Sequence, residues 1–206
     1  MKMIYRIGVY FGGILLATLG IVLCVKSELG VSPISSVPYG ISLFSPLTFG
    51  TLTMLYHFIN SIFQYAVERK LLNVKVFLQI PVAFLLGLII DLLKDMLTFT
   101  PQNLFTKLLL VVFSILFTAL GMHLMLSMKL VQNPPDGTVN LIAGLSGKNI
   151  GAIKIAYDAT MVILSAALTG IALHKVIGFG PATICSALFV GRALTLFQKT
   201  IKLKAF

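Results

Sequence analysis

Charge is scarce in this sequence. Of 206 residues, 11% are Asp, Glu, Lys or Arg, and only six are acidic. A soluble domain carries about 25% charged and about 45–50% apolar residues. Here the apolar share is 58% and the mean hydropathy is +1.01. A chain this small could not hide so much apolar surface from water, which excludes a soluble domain. Disordered, collagenous and coiled-coil readings fail on the same figures. Cysteine is nearly absent: Cys24 and Cys185 both sit inside apolar runs, which excludes a disulfide scaffold. Each is read as a small buried hydrophobe. No stretch alternates apolar and polar residues as a membrane-barrel strand does. The HExxH, GxSxG, Walker-type and CxxC motifs are also missing, so neither an enzyme nor a bound cofactor is expected.

Long hydrophobic runs are what the chain does have. Six segments, near 7–25, 48–67, 75–95, 107–128, 150–173 and 176–198, offer the roughly 20 residues of a spanning helix. Backbone groups in lipid must be bonded within the segment, so an all-α membrane protein with six transmembrane helices is predicted. The first run follows a basic start, Lys2 and Arg6. It is too long for a signal-peptide core and lacks a small-x-small cleavage site, so it is expected to be retained. An inside N-terminus puts twelve basic residues on the inner side: Lys2, Arg6, Arg69, Lys70, Lys75, Lys129, Lys148, Lys154, Arg192, Lys199, Lys202 and Lys204. Four fall outside: Lys26, Lys94, Lys107 and Lys175. That bias predicts that both termini lie on the inner, cytoplasmic side. Anionic lipid on the inner side is the expected partner of these charges. Nucleic acid is not, because no basic patch is interleaved with aromatics.

Two segments do not fit the six spans: 30–46 (GVSPISSVPYGISLFSP) and 131–147 (VQNPPDGTVNLIAGLSG). Each is too short and too rich in Pro, Gly, Ser and Asn to cross alone. If either crossed, the next basic loop would fall outside. Both are expected to be re-entrant or broken helices, tolerated at membrane depth only inside protein or beside a polar cavity.

The chain also repeats itself. A shift of 101 residues lays Leu19-Gly20 on Leu120-Gly121, Pro33 on Pro134, Gly50 on Gly151 and Tyr56 on Tyr157. A shift of 100 then lays Pro81 on Pro181 and Leu88 on Leu188. Each copy holds three spans, an odd number, so the second enters from the opposite side. The expectation is one membrane domain of two inverted repeats, 1–100 and 101–206. Secondary transporters share this plan and place their substrate where broken helices meet near the midplane.

Polar groups inside the spans are the candidate site. His57 and Asp158 are each the tenth residue of their spans, counted from Thr48 and Asn149, and the shift superposes them. They could face each other as a proton- or cation-binding pair. Alternatively, His57 bonds a helix carbonyl and Asp158 pairs with Lys154 one turn away. Asn60 and Gln64 extend the polar stripe of His57, as a cavity lining or as inter-helix glue. Asp136 could cap a short helix at 138–145. With Asn140 it could instead face a cavity opposite Ser35, Ser36 and Tyr39. The candidate substrate-binding set is therefore Ser35, Ser36, Tyr39, His57, Asn60, Asp136, Asn140, Tyr157 and Asp158. No metal ligands are expected.

Elsewhere, Asp91 is expected to pair with Lys94, Arg192 to anchor a lipid phosphate, and His123 to be packed or interfacial. Gln79 and Pro81 should mark a kink. Gly12, Gly13, Ala17 and Gly20 suit close helix contact.

Several motifs resemble the YczE/YitT-like family of small bacterial membrane proteins, and the YczE branch more closely. They are LGVSP at Leu29–Pro33, PPDG at Pro134–Gly137, Gly50-Thr51, GLIID at Gly87–Asp91 and GPATICSALFVGRAL in the sixth span. The family's Gly-Pro-Trp-Asp-like turn is altered here to Ser-Pro-Ile-Ser in the first copy; the second keeps Asp136, and the chain has no Trp. The resemblance implies an integral plasma-membrane protein of transporter or permease type, and no established reaction. The functional expectation is a small-molecule secondary transporter or permease, with proton or cation coupling as an option. The alternative is a non-transporting membrane scaffold or regulatory subunit. A homo-oligomer is compatible with either.

Overall fold

The computed structural model describes residues 2–68 and 74–203, and every regular element within them is an α-helix. In chain order these are α1 (Lys2–Lys26), α2 (Pro33–Ser42), α3 (Phe49–Glu68), α4 (Val74–Phe77), α5 (Gln79–Met96), α6 (Leu104–Met128), α7 (Pro134–Ser146), α8 (Ile150–Leu173) and α9 (Pro181–Thr200). Arg69, Lys70 and Lys204, three of the inner-side charges, lie outside the described residues.

Among the described residues, three helices are long and apolar enough to cross a membrane: Met3–Lys26, Leu104–Met128 and Ile150–Leu173. The other three expected spans form helices too but are more polar. α3 carries His57, Asn60, Ser61 and Gln64; α5 carries Asp91, Lys94 and Asp95; α9 carries Arg192 and Gln198.

The two segments expected to be broken are the short helices α2 and α7. Each opens on proline, Pro33 and Pro134, where the missing N–H has no helical partner to lose. α7 begins four residues earlier than expected, with Asn133 as its N-cap. Asp136 is therefore not the cap; it lies in the first turn, where the helix dipole favours a carboxylate. The kink expected at Gln79 and Pro81 is a break between α4 and α5 at Leu78. Pro81 has no N–H to give the carbonyl four residues back, at Phe77.

The frame of the molecule is the antiparallel pair α1 and α6. A methyl group on Gly20 would sit 2.6 Å from the Thr118 nitrogen; one on Gly121 would overlap the Ala17 nitrogen. Gly20 and Gly121 are 101 residues apart, and so are Ala17 and Thr118, so the contact is reciprocal. The helix ends repeat the pattern. Arg6 donates to the Met128 carbonyl at 2.6 Å, and Lys107, 101 residues on, bonds Glu28 at 2.6 Å. Each cation reaches the C-terminal end of the opposing helix, where the dipole favours it. Glu28 and Lys129, also 101 apart, both turn into the left-handed region (φ 58° and 52°).

The short helices cross over. α2 packs on α8 and α7 packs on α3. Ser165 donates to the Ser36 carbonyl at 2.7 Å, while Gln64 donates to the Pro134 carbonyl at 2.8 Å and fills the space beside Gly137. Gln64 and Ser165 are 101 apart, as are Ser36 and Gly137. Adding one methyl group at the α1–α6 contact should part the helices. Gly121→Ala should lower stability by about 1–3 kcal/mol, whereas Gly12→Ala, with nothing within 4 Å, should be neutral or mildly stabilising. Thermal unfolding in detergent distinguishes the two.

Candidate functional site

α3 and α8 meet through their tyrosines. The hydroxyls of Tyr56 and Tyr157 are 2.6 Å apart, and Tyr157 donates to Asn60 Oδ1 at 2.8 Å. The Asn60 amide in turn donates to the Tyr56 carbonyl at 2.9 Å. Asn60 therefore holds one tyrosine directly and the other through its own helix.

One turn along α8 is a charge cluster. Lys154 Nζ lies 2.9 Å from Asp158 Oδ1 and 3.7 Å from Asp136 Oδ1 on α7. Asn133 donates to the other Asp136 oxygen at 3.2 Å. The side chains of Lys154, Asp136 and Asp158 are 31%, 19% and 17% exposed, so the cluster is open on one side. Its net charge is −1. Asp158 thus takes the Lys154 partnership and does not pair with His57. His57 is buried, and its Nδ1 has no hydrogen-bond partner.

A second polar group is buried where α3, α5 and α7 join. Gln64 and Gln79 exchange amide hydrogen bonds at 3.2 and 3.1 Å, Ser61 donates to Gln79 at 3.0 Å, and Gln64 also reaches Thr138 at 3.3 Å. These groups satisfy one another, as buried polar groups must.

The remaining candidates lie apart. Ser36 binds the Pro33 carbonyl, Ser35 bonds Ser32, and Tyr39 stands edge-on to Phe49 with ring centres 5.7 Å apart. Asn140 is exposed. α2 meets α8 at Ser165, seven residues beyond Asp158 or about 10 Å along the helix. The expected meeting of 33–39 with 134–140 therefore does not form: each short helix packs on the same two helices, but at different levels. Asp91 also departs from expectation. It accepts from the Gly50 nitrogen at 2.8 Å and the Thr48 hydroxyl at 2.5 Å, holding α5 to the start of α3 in place of pairing with Lys94. Arg192 is exposed above Phe189, and His123 contacts the Ile201 carbonyl at 3.0 Å.

Lys154, Gln79, Ser61, Thr138 and Ser165 join these groups without having been among the candidates. Only Lys154 left a signal, its four-residue spacing from Asp158. The others owe their places to which helix packs on which. Among the described residues, no group of three or more His, Cys, Asp or Glu gathers as a metal site would require.

A model of a family of unknown function, DUF6198, matches residues 4–199. The chain belongs to the DUF6198 family. This DUF6198 protein is also similar to the uncharacterized protein YyaS of Bacillus subtilis (strain 168), at 28% identity over 198 residues, 94% of this chain and 92% of the relative. No solved structure matches it. Gln64→Leu should strand the amide of Gln79 and the Pro134 carbonyl in the interior. The expected loss is about 1–3 kcal/mol, read as a lower unfolding temperature, while Gln64→Glu at low pH should recover part of it.

Proposed function

We propose that this DUF6198 protein is a small-molecule secondary transporter or permease of the bacterial plasma membrane, and not an enzyme. In this reading residues 1–100 and 101–206 are two inverted repeats. α1, α3, α5, α6, α8 and α9 cross the bilayer, and α2 and α7 enter without crossing. The contacts between positions 101 apart support the repeat. The resemblance to YczE/YitT-like proteins agrees in kind. Both termini face the cytoplasm, and the inner-side Lys and Arg residues meet anionic lipid.

The observation that carries the reading is the Asp136–Lys154–Asp158 cluster. Asp158 is the ninth residue of α8, about 12 Å along it, within a hydrocarbon layer about 30 Å thick. An ionisable residue at such depth costs about 2.5–3.5 kcal/mol on insertion scales, and it usually marks a substrate or ion path. The cluster adjoins the Tyr56–Tyr157–Asn60 group, which joins the two halves. Two carboxylates, one ammonium and two hydroxyls suit a substrate with a cationic or hydroxyl-bearing group. Asp158 would carry any coupled proton or cation.

A non-transporting scaffold is the second reading. It is favoured by the Gln64–Gln79–Ser61–Thr138 group, whose hydrogen bonds go to one another and hold three helices together.

Two measurements test the proposal. Cysteines at Thr100 and Lys175 should react with an impermeant reagent added outside, and one at Lys199 should not; outside labelling at Lys199 would end the six-span topology. A ligand-stability screen in detergent, with amines, metabolites and ions at several pH values, should find a ligand that raises the unfolding temperature. Asp158→Asn should keep the fold and abolish the pH dependence of that effect. If no ligand stabilises the protein and Asp158→Asn changes only its unfolding temperature, the scaffold reading stands.

A further inference from the structure

The two halves are not equally closed. α5 lies along α3, where Gly87 and Gly50 let the backbones meet and Asp91 grips the first turn of α3. The equivalent pair, α9 and α8, does not pack together; α9 lies against α6 instead. Gly151, the counterpart of Gly50, meets only its own Asn149, and Gly191, the counterpart of Asp91, has nothing within 4 Å. Ala187, the counterpart of Gly87, is exposed. The cap of α8 is local: Asn149 accepts from the Gly151 nitrogen at 2.8 Å, with no help from α9.

The charge cluster lies on the open side. Lys154 and Asp158 occupy on α8 the positions that Thr53 and His57 occupy on α3. Thr53 and His57 are 3% and 4% exposed on the helix that α5 packs against. Lys154 and Asp158 keep 31% and 17% of their side chains exposed on the helix that α9 leaves free.

We infer that α9 is a gate, which swings from α6 onto α8 into the packing that α5 already holds on α3, and so closes over Lys154 and Asp158. The inference rests on the transporter reading. Closure would bring the α8 and α9 axes to the usual packing distance of about 8–10 Å. α5 does not move with it, because Asp91 ties α5 to Thr48 and Gly50, whereas Gly191 offers α8 nothing. A second feature suits α9 to move: the only residues it buries fully are Ala182, Thr183 and Ser186, all near its start. That start is tied to the end of α1, with Ala182 donating to the Leu29 carbonyl at 2.9 Å, and this contact is the pivot.

Pairs of spin labels in lipid vesicles test the gate without any ligand. The label sites are exposed and equivalent: Phe58 with Leu88 across α3–α5, and Ala159 with Leu188 across α8–α9. With Cys24 and Cys185 replaced by Ser, the first pair should give one narrow distance. The second should give two populations, one of them near the α3–α5 distance. Asn149→Thr with Gly191→Asp copies Thr48 and Asp91, and should enrich the short population several-fold; Ala187→Gly is the milder variant, with the same direction of change. A single long α8–α9 distance that neither variant shortens would overturn the gate. So would a short distance that vanishes on dilution with unlabelled protein, because a second copy would then fill the gap. Ligand stabilisation with a rigid α8–α9 pair would remove the gate alone. A mobile pair with no ligand found would remove the transporter reading alone.

Discussion

At Gly20 and Gly121 the backbones of α1 and α6 come so close that not even a methyl group fits between them. In lipid there is no hydrophobic drive to press two helices together, because the tails are as apolar as leucine. Close van der Waals contact between small residues takes its place. The rest of the structure depends on that contact. α5 packs beside α1 and α9 beside α6, and the two short helices cross to the other half, α2 onto α8 and α7 onto α3. Arg6 and Lys107 fix the register at either end, Arg6 by reaching the last carbonyl of α6 and Lys107 by reaching Glu28, two residues past the end of α1.

Polar residues in this fold do two different jobs. The Gln64–Gln79–Ser61–Thr138 group is buried and self-satisfied, so it specifies which helices meet and in what register. Loss of one member would leave some of its partners' buried polar atoms unmet, which is costly in that medium. The Asp136–Lys154–Asp158 cluster is half-buried, carries a net charge and is open on one side. Between the two lies the Tyr56–Tyr157 contact, where a residue meets its own equivalent.

The asymmetry between α3–α5 and α8–α9 goes with three differences between positions 101 or 100 apart: Thr48 and Asn149, Gly87 and Ala187, and Asp91 and Gly191. The first half keeps a carboxylate that grips a neighbouring helix; the second caps its helix with its own side chain. In one half the second and third long helices pack together and in the other they do not, and the exposed charges lie in the latter.

By itself the sequence determined the helical, lipid-compatible character of the chain, because composition limits how much apolar surface can be hidden. It also located the two short helices, because Pro33 and Pro134 can begin a helix but their surroundings cannot sustain a span. The closeness of Gly13, Ala17 and Gly20 to α6 was legible as small residues at helical spacing. Which polar residues meet was decided only by the tertiary structure. A helix turns about 100° per residue, so Tyr56 and His57 look in different directions, although either could be superposed on its equivalent by the same shift. Packing put Tyr56 against Tyr157 and left His57 buried without a partner for Nδ1. Asp91 likewise had an obvious partner in Lys94 on its own helix, and the approach of α3 offered it the Gly50 nitrogen and the Thr48 hydroxyl instead. Local spacing fixes what a side chain can reach along its own helix; only the packing of other helices fixes what reaches it from outside.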